Sequence, residues 1–192
     1  MNNINVFSGP MKCGKSQKIL DEAGRQKIAG RNFKIFKPAM DDRFGSDFIA
    51  DRNGNKLKAI NIASIDELSN YDADVYLIDE FQFLDGNIET IQKLADKGKK
   101  FYIAGLNLTA EKKPFGKMGD LLCCSDNVTM MTSICEICKN DNAIYSFCTA
   151  DKTGAILIGD SEYIPVCSSC YSKLMSQRLE NNNNNNNNID NK

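Results

Sequence analysis

Gly9, Pro10, Met11, Lys12, Cys13, Gly14, Lys15 and Ser16 match the pattern G-x-x-x-x-G-K-[ST] without a gap, and no other feature narrows the fold as far. Such a loop holds phosphate only when a strand delivers it and a helix leaves it. Glycine lets the main chain wrap around phosphate oxygens, and the first turn of the following helix adds unpaired N–H groups and the positive end of its dipole. The flanks have that form. Asn5-Val6-Phe7-Ser8 reads as a short apolar strand. The spacing of Ile19, Leu20 and Ala23 predicts a helix over residues 16–29, stopped by Gly30. In this setting Lys15 is expected to reach the β- and γ-phosphates and the Ser16 hydroxyl to serve Mg²⁺.

The rest of the first two thirds alternates in the same way. Strands are expected over 33–36, closed by Pro38, over 57–62, over 75–78 and over 101–104. Ser64-x-x-Glu67 fits a capping box opening a short helix. Ile88, Ile91, Leu94 and Ala95 mark one face of a helix over 87–97, with Gly98 as its stop. Residues 40–56 are polar and glycine-punctuated and read as a long, mobile loop. Strands alternating with helices predict an α/β fold with a parallel sheet covered on both faces. After residue 133 the texture changes to short strand-like pieces, over 143–147 and 155–158, with no long helix before Tyr171. The expected organisation is a nucleotide-binding α/β domain over 1–133, a small metal-binding domain over 134–179, and an asparagine-rich tail over 180–192. Residues 181–188 are all asparagine, which buries no core, so the tail is expected to be disordered.

Composition excludes several classes of function. With 24 basic and 25 acidic residues the net charge is −1, which gives no bulk attraction to nucleic acid or membrane. No apolar run approaches the roughly 20 residues of a membrane span. The first residues lack the charged and apolar regions of a signal peptide. A cytoplasmic, reducing location is therefore expected, where paired cysteines signal metal or redox chemistry. Histidine is absent, so acid–base chemistry falls to a carboxylate, Lys, Tyr or Cys, and any zinc site must be rich in thiolate.

Asp79 and Glu80 follow the apolar strand 75–78. At the carboxyl end of a parallel strand they face the crevice where such sheets bind ligands. Asp79 stands where a carboxylate would hold Mg²⁺, directly or through water, and Glu80 is the best candidate for a general base toward an attacking hydroxyl. The bland alternative is a pair of surface carboxylates capping a strand. Asp41 and Arg43, in Asp41-Asp42-Arg43, could join the Mg²⁺ shell and clamp a phosphoryl group; composition alone does not separate this from a solvated charged loop. Cys135-x-x-Cys138 and Cys167-x-x-Cys170 supply a thiolate set suited to tetrahedral structural zinc, with no coordination position left open for catalysis. A redox role would need a single such pair beside a helix start. Cys13, Cys123, Cys124 and Cys148 have no such spacing and read as buried thiols.

Several segments together resemble thymidine kinases of the cytosolic, zinc-containing type. They are the loop Gly9 to Ser16, Asp41-Asp42-Arg43, Ile78-Asp79-Glu80-Phe81-Gln82-Phe83, Lys113-Pro114-Phe115-Gly116, and Ile158-Gly159-Asp160-Ser161-Glu162-Tyr163 leading into the second cysteine pair. Their order and spacing follow the family over residues 3–175. The resemblance implies a RecA-like P-loop domain with a parallel sheet, followed by a small zinc domain whose lasso loop covers the nucleoside. It implies that Glu80 takes the proton from the 5′-hydroxyl, that Asp79, Asp41 and Ser16 serve Mg²⁺ bound with ATP, that Gln82 lines the nucleotide site, and that Arg43 steadies the transferred phosphoryl. Met11, Phe83, Leu106 and Phe115 would wall the base. The lasso residues Ile156, Leu157, Ile158 and Gly159 would hold the pyrimidine through main-chain groups, with Tyr163 closing over it. Members of the family are commonly homotetramers, inhibited by the triphosphate end product.

Three departures from the family pattern fall near the site. Ala110 stands where an aromatic usually stacks on the pyrimidine. The segment between Gly159 and Tyr163 is about one residue shorter than in many relatives. Lys12 replaces a more usual apolar or aromatic residue. The expected activity is transfer of the ATP γ-phosphate to thymidine, with deoxyuridine as a second substrate to test, and with neither nucleic acid nor membrane as partner. The alternative is a RecA-like ATPase or a zinc-ribbon module that binds nucleic acid. The net charge and the lack of an aromatic-plus-basic stripe weigh against it.

Overall fold

A computed structural model describes residues 3–41, 47–150 and 162–187. Its centre is a six-stranded sheet built from β1 (Ile4–Ser8), β2 (Phe33–Pro38), β5 (Ile60–Ile62), β6 (Val75–Ile78), β7 (Lys100–Gly105) and β8 (Asn127–Met130). The order across the sheet is β5-β2-β6-β7-β1-β8, and every pairing is parallel.

The strand period of two decides which residues face which layer. In β6, Val75 and Leu77 pack toward α1 (Lys15–Ile28), joining Ile19, Leu20 and Ala23. Tyr76 and Ile78 face the opposite way, into a cluster with Ile91 of α2 (Glu89–Asp96) and Met118 and Leu121 of α3 (Met118–Cys124). β7 alternates in the same sense: Tyr102 and Ala104 lie on the α1 face, Phe101 and Ile103 on the other. Phe36, Tyr76 and Phe101 stack side by side across three neighbouring strands, with centroids 5.7 and 4.9 Å apart. Both faces are thus covered, as a buried parallel sheet requires.

Several local expectations are corrected. Residues 40–56 are not one long loop. β3 (Phe48–Ala50) and β4 (Lys56–Lys58) pair as an antiparallel hairpin, whose turn forms around Asp51. The Asp51 carboxylate accepts the N–H groups of Asn53 and Asn55 at 2.8 and 2.9 Å and the Asn55 amide at 2.6 Å. The alternating run 57–62 is consequently two strands in two sheets, divided at Ala59, whose N–H donates to the Asp47 carbonyl at 2.9 Å. The expected capping box is present and opens a short helix, of the 3₁₀ type, over residues 65–70. α3 and β8 occupy a stretch in which periodicity shows no element. β8 is only four residues long and exposed, so the alternation of Val128 and Met130 with Asn127 and Thr129 is too brief to mark a strand.

Beyond residue 133, β9 (Tyr145–Cys148) and β10 (Tyr163–Val166) form an antiparallel pair, followed by α4 (Ser168–Asn187). The expected strand at 155–158 lies outside the described residues. The backbone of α4 stays helical into the asparagine run, where composition predicts disordered chain; each residue added to an existing helix needs only one further hydrogen bond, without a new nucleus. No helix among the described residues is long and apolar enough to cross a membrane.

Candidate functional site

The phosphate-loop motif leaves β1 and enters α1 with Gly14 at φ 88, ψ 21, the left-handed position in front of the first helical residue. Gly9 is required for another reason: a Cβ there would stand 2.4 Å from the Met131 carbonyl oxygen. The Lys15 ammonium, 8% exposed, is held inside the loop by the carbonyls of Pro10 at 2.7 Å and Gly9 at 3.3 Å, with Cys13 Sγ at 3.6 Å. Ser16, at the start of the helix, is half-buried.

Asp79 and Glu80 stand at the end of β6, beside this loop, and are both buried. Asp79 is fixed by its N–H, which donates to the Phe36 carbonyl of β2 at 3.0 Å. Its Oδ1 accepts the Glu80 N–H at 3.1 Å. Glu80 adopts φ 52, ψ 40, a left-handed conformation that a residue with a Cβ reaches only at a cost. A glutamate kept in such a conformation at a cleft is a candidate for function. Gln82 locks it: the amide Nε2 donates to Glu80 Oε2, while Oε1 accepts the Leu106 N–H at 2.9 Å. Gln82 therefore orients Glu80 from below and ties it to the end of β7.

A cleft of about 260 Å³ lies between the loop and the hairpin tip. Its walls include Lys15, Ser16 and Glu80 on one side and Asp51, Arg52 and Asn53 on the other. Asn53 Nδ2 donates to Gln17 Oε1 at 3.2 Å, joining the tip to α1. Periodicity assigned the hairpin no part in the site; the turn tract Asp51-Arg52-Asn53-Gly54 was the available signal. Asp41 is also buried, 3.7 Å from Lys37 Nζ. Lys37 is fully buried at the end of β2 and donates to the Phe48 carbonyl of β3 at 3.1 Å, so one cation serves both the expected Mg²⁺ carboxylate and the hairpin. Arg43 lies outside the described residues.

Met11, Leu106 and Phe115 bury one apolar cluster, against which Phe83 and Tyr163 pack. Phe83 and Phe115 meet edge to face with centroids 5.4 Å apart. The Lys113-Pro114-Phe115-Gly116 turn delivers Phe115 by lying directly on Gln82: at Gly116, φ 51, a Cβ would come within 2.3 Å of the Gln82 carbonyl oxygen. Ala110 is not part of the cluster. It sits at the tip of the preceding turn, its carbonyl accepting the Tyr171 hydroxyl at 2.7 Å, while Lys112 lies over the rings of Tyr145 and Tyr171 at 4.0 and 3.9 Å. Ile156, Leu157, Ile158 and Gly159 lie outside the described residues.

Cys135, Cys138, Cys167 and Cys170 converge, their sulfurs all within 4.8 Å of one another. Cys138 and Cys167 Sγ are 3.7 Å apart. A tetrahedral zinc with Zn–S bonds of about 2.3 Å sets its sulfurs roughly 3.8 Å apart, whereas a disulfide requires about 2.05 Å. Ionisation of the cluster is uneven. Burial opposes the Cys135 thiolate, but the N–H groups of Cys138, Cys167 and Ile137 outweigh it and bring that thiol to about 6. Burial, and then the neighbouring sulfurs of Cys167, Cys138 and Cys135, push Cys170 up to about 12. A dication answers both conditions, since it neutralises the thiolate repulsion. The remaining thiols depart from expectation: Cys123 is exposed, and Cys13, Cys124 and Cys148 are only half-buried. Cys123 and Cys124 end a helix too short to bury both.

The sequence profile of the thymidine kinase family matches residues 2–171. Two curated proteins named thymidine kinase, from two strains of Porphyromonas gingivalis, are each 36% identical to the chain. The two comparisons extend over 181 and 179 residues, covering in each case 91% of this chain and 87% of the relative.

Proposed function

Because the chain belongs to the thymidine kinase family, we propose that it transfers the γ-phosphate of ATP to the 5′-hydroxyl of thymidine. The observation that carries the chemistry is the placement of Glu80. A buried carboxylate, held in a left-handed conformation by Gln82, lines the same cleft as Lys15 and Ser16.

In this reading the loop N–H groups and Lys15 bind the phosphate chain, and Lys15 gives up its loop carbonyls as the γ-phosphate takes their place. Ser16, Asp79 and Asp41 would hold Mg²⁺, whose chemistry is to neutralise charge developing on the phosphoryl oxygens. Glu80 takes the proton from the 5′-hydroxyl as that oxygen attacks phosphorus. Gln82 keeps the Glu80 carboxylate aimed, and Arg43 steadies the transferred group. The apolar wall of Met11, Leu106, Phe115 and Phe83 receives the base, with Tyr163 and the segment 156–159 closing over it. With alanine at 110, base recognition rests on the Phe83–Phe115 pair. The four cysteines hold a structural zinc, and assembly as a homo-oligomer follows from the family pattern alone.

Radiolabelled phosphate transfer from ATP across a panel of nucleosides tests the activity. Thymidine should be the best acceptor, followed by deoxyuridine. Failure to form a monophosphate from any pyrimidine deoxynucleoside would overturn the assignment. Hydrolysis of ATP stimulated by DNA or RNA without a nucleoside would point instead to a nucleic-acid-dependent ATPase.

A further inference from the structure

Lys12 is the charged side chain of the phosphate loop that the mechanism above leaves without work. It occupies a left-handed conformation, φ 62, which a lysine holds only if its surroundings compensate. Its ammonium is 2.7 Å from Glu136 Oε1, with the two side chains 22% and 38% exposed. Its carbonyl accepts the Ser133 hydroxyl at 3.0 Å, and the adjacent Met11 N–H donates to Ser146 Oγ at 2.9 Å. The loop is therefore fastened to the cysteine-bearing unit at consecutive residues.

Glu136 is a fixed anchor for this contact. It lies inside the Cys135-x-x-Cys138 turn, between two of the clustered sulfurs. Its N–H donates to the Pro165 carbonyl of β10 at 2.9 Å, and its own carbonyl accepts Lys139 Nζ at 2.7 Å. A metal that orders the turn also fixes the carboxylate, and the carboxylate holds Lys12. We propose that the Lys12–Glu136 ion pair is a positioning device that couples metal occupancy of the four-cysteine centre to the phosphate-binding conformation of the loop. The inference rests on assignment of this loop to the ATP phosphates. Coupling between two sites is reciprocal, so ATP must in turn retard loss of the metal.

The test uses the full, zinc-loaded chain. Zinc release to a chromogenic chelator is timed with and without ATP, and the KM for ATP and kcat are measured with thymidine saturating. In the wild type, ATP slows zinc release. Lys12→Met and Glu136→Gln each raise the KM for ATP roughly three- to fivefold, the scale of a part-exposed ion pair, leave kcat within about twofold, and diminish the protection of zinc by ATP. The exchanged pair Lys12→Glu with Glu136→Lys recovers both. A wild-type KM and undiminished protection in the single variants would overturn the proposal, as would an exchanged pair no better than either single variant. If the wild type transfers no phosphate from ATP, the functional assignment fails on its own account. Zinc release with inorganic tripolyphosphate then decides the coupling: retardation in the wild type and its loss in Glu136→Gln support it, and no retardation rejects it.

Discussion

The proposed mechanism gives the proton transfer to Glu80, a side chain whose replacement need not disturb the fold. Glu80→Gln keeps the shape, and the amide oxygen can still accept from Gln82, so ATP binding should persist while kcat falls by about 10²–10⁴, the usual worth of a positioned base. Turnover within about threefold of wild type in a quenched-flow or radiolabel assay would reject the role. Gly116 is sensitive for a steric reason. Its φ of 51 and the 2.3 Å separation from the Gln82 carbonyl mean that Gly116→Ala combines a left-handed Cβ with a backbone clash. A loss of at least about 1–2 kcal/mol is expected in denaturant unfolding, accompanied by weaker thymidine binding as Phe115 moves. At this scale much was legible beforehand. Loop glycines, Lys15 and the Asp79–Glu80 pair are local signals, because phosphate binding and strand-end carboxylates use consecutive residues. Gln82 clamping Glu80 and Lys37 serving Asp41 were not legible in that way: each pair is close in sequence, but the contacts depend on the left-handed backbone at Glu80 and on the turn that follows β2, which no residue pattern marks.

Among the elements, the β3–β4 hairpin is the one whose existence alters the picture of the site, and its turn depends on a single carboxylate. Hydrogen bonding holds the Asp51 acid below its ordinary value of 3.8; the Asn55 side chain has the largest effect, and burial opposes it. The folded group is thus the stronger acid. Its contribution is complete above the unfolded value and is lost only as pH falls through the lower, folded one. Protection of the Asn53 and Asn55 amides should therefore persist at pH 5 and be lost as pH falls through the lowered, folded value. Asp51→Ala should expose both amides at every pH and raise the KM for ATP while sparing α1. Uniform exchange behaviour across wild type and variant would remove the turn from the site. The hairpin escaped periodicity because its strands have only three residues each, too few to show a period, and because glycine and asparagine mark a tight turn as readily as a long loop. The inner strands of the central sheet were visible because burial on both faces demands continuous apolar runs, as Val75–Ile78 shows; the exposed edge strand β8 lacks that signal.

For the whole molecule, the question is how the sheet and the cysteine-bearing unit depend on each other. One zinc per chain is expected by elemental analysis. Because Cys170 is pushed up to about 12 by its burial and by the other sulfurs, zinc binding to the metal-free protein at pH 7 should displace protons, seen as acidification of a weakly buffered solution. Affinity should fall as pH falls. Chelation should lower the melting temperature and expose Tyr145 and Tyr171, both packed around the cluster, before the central sheet unfolds. Equal thermal stability with and without metal would exclude a structural role. The paired spacing of the cysteines made this centre readable, whereas its attachment to the phosphate loop through Lys12 was not, since no local pattern links residues so distant in the chain.

The place of β1 in the sheet has a further consequence, for how the chain acquires its structure. β1 is the first strand in chain order, yet both of its neighbours come much later: Val6 lies beside Ile103 of β7 and Val128 of β8. During synthesis the segment ahead of the phosphate loop must wait, unpaired, until more than half of the chain has left the ribosome. Pairings of such long range are the slow ones, and a waiting apolar strand is a site for chaperone capture or aggregation. The nucleotide cradle is thus encoded early and completed late, which makes the last steps of translation the period in which this enzyme is most exposed to misfolding.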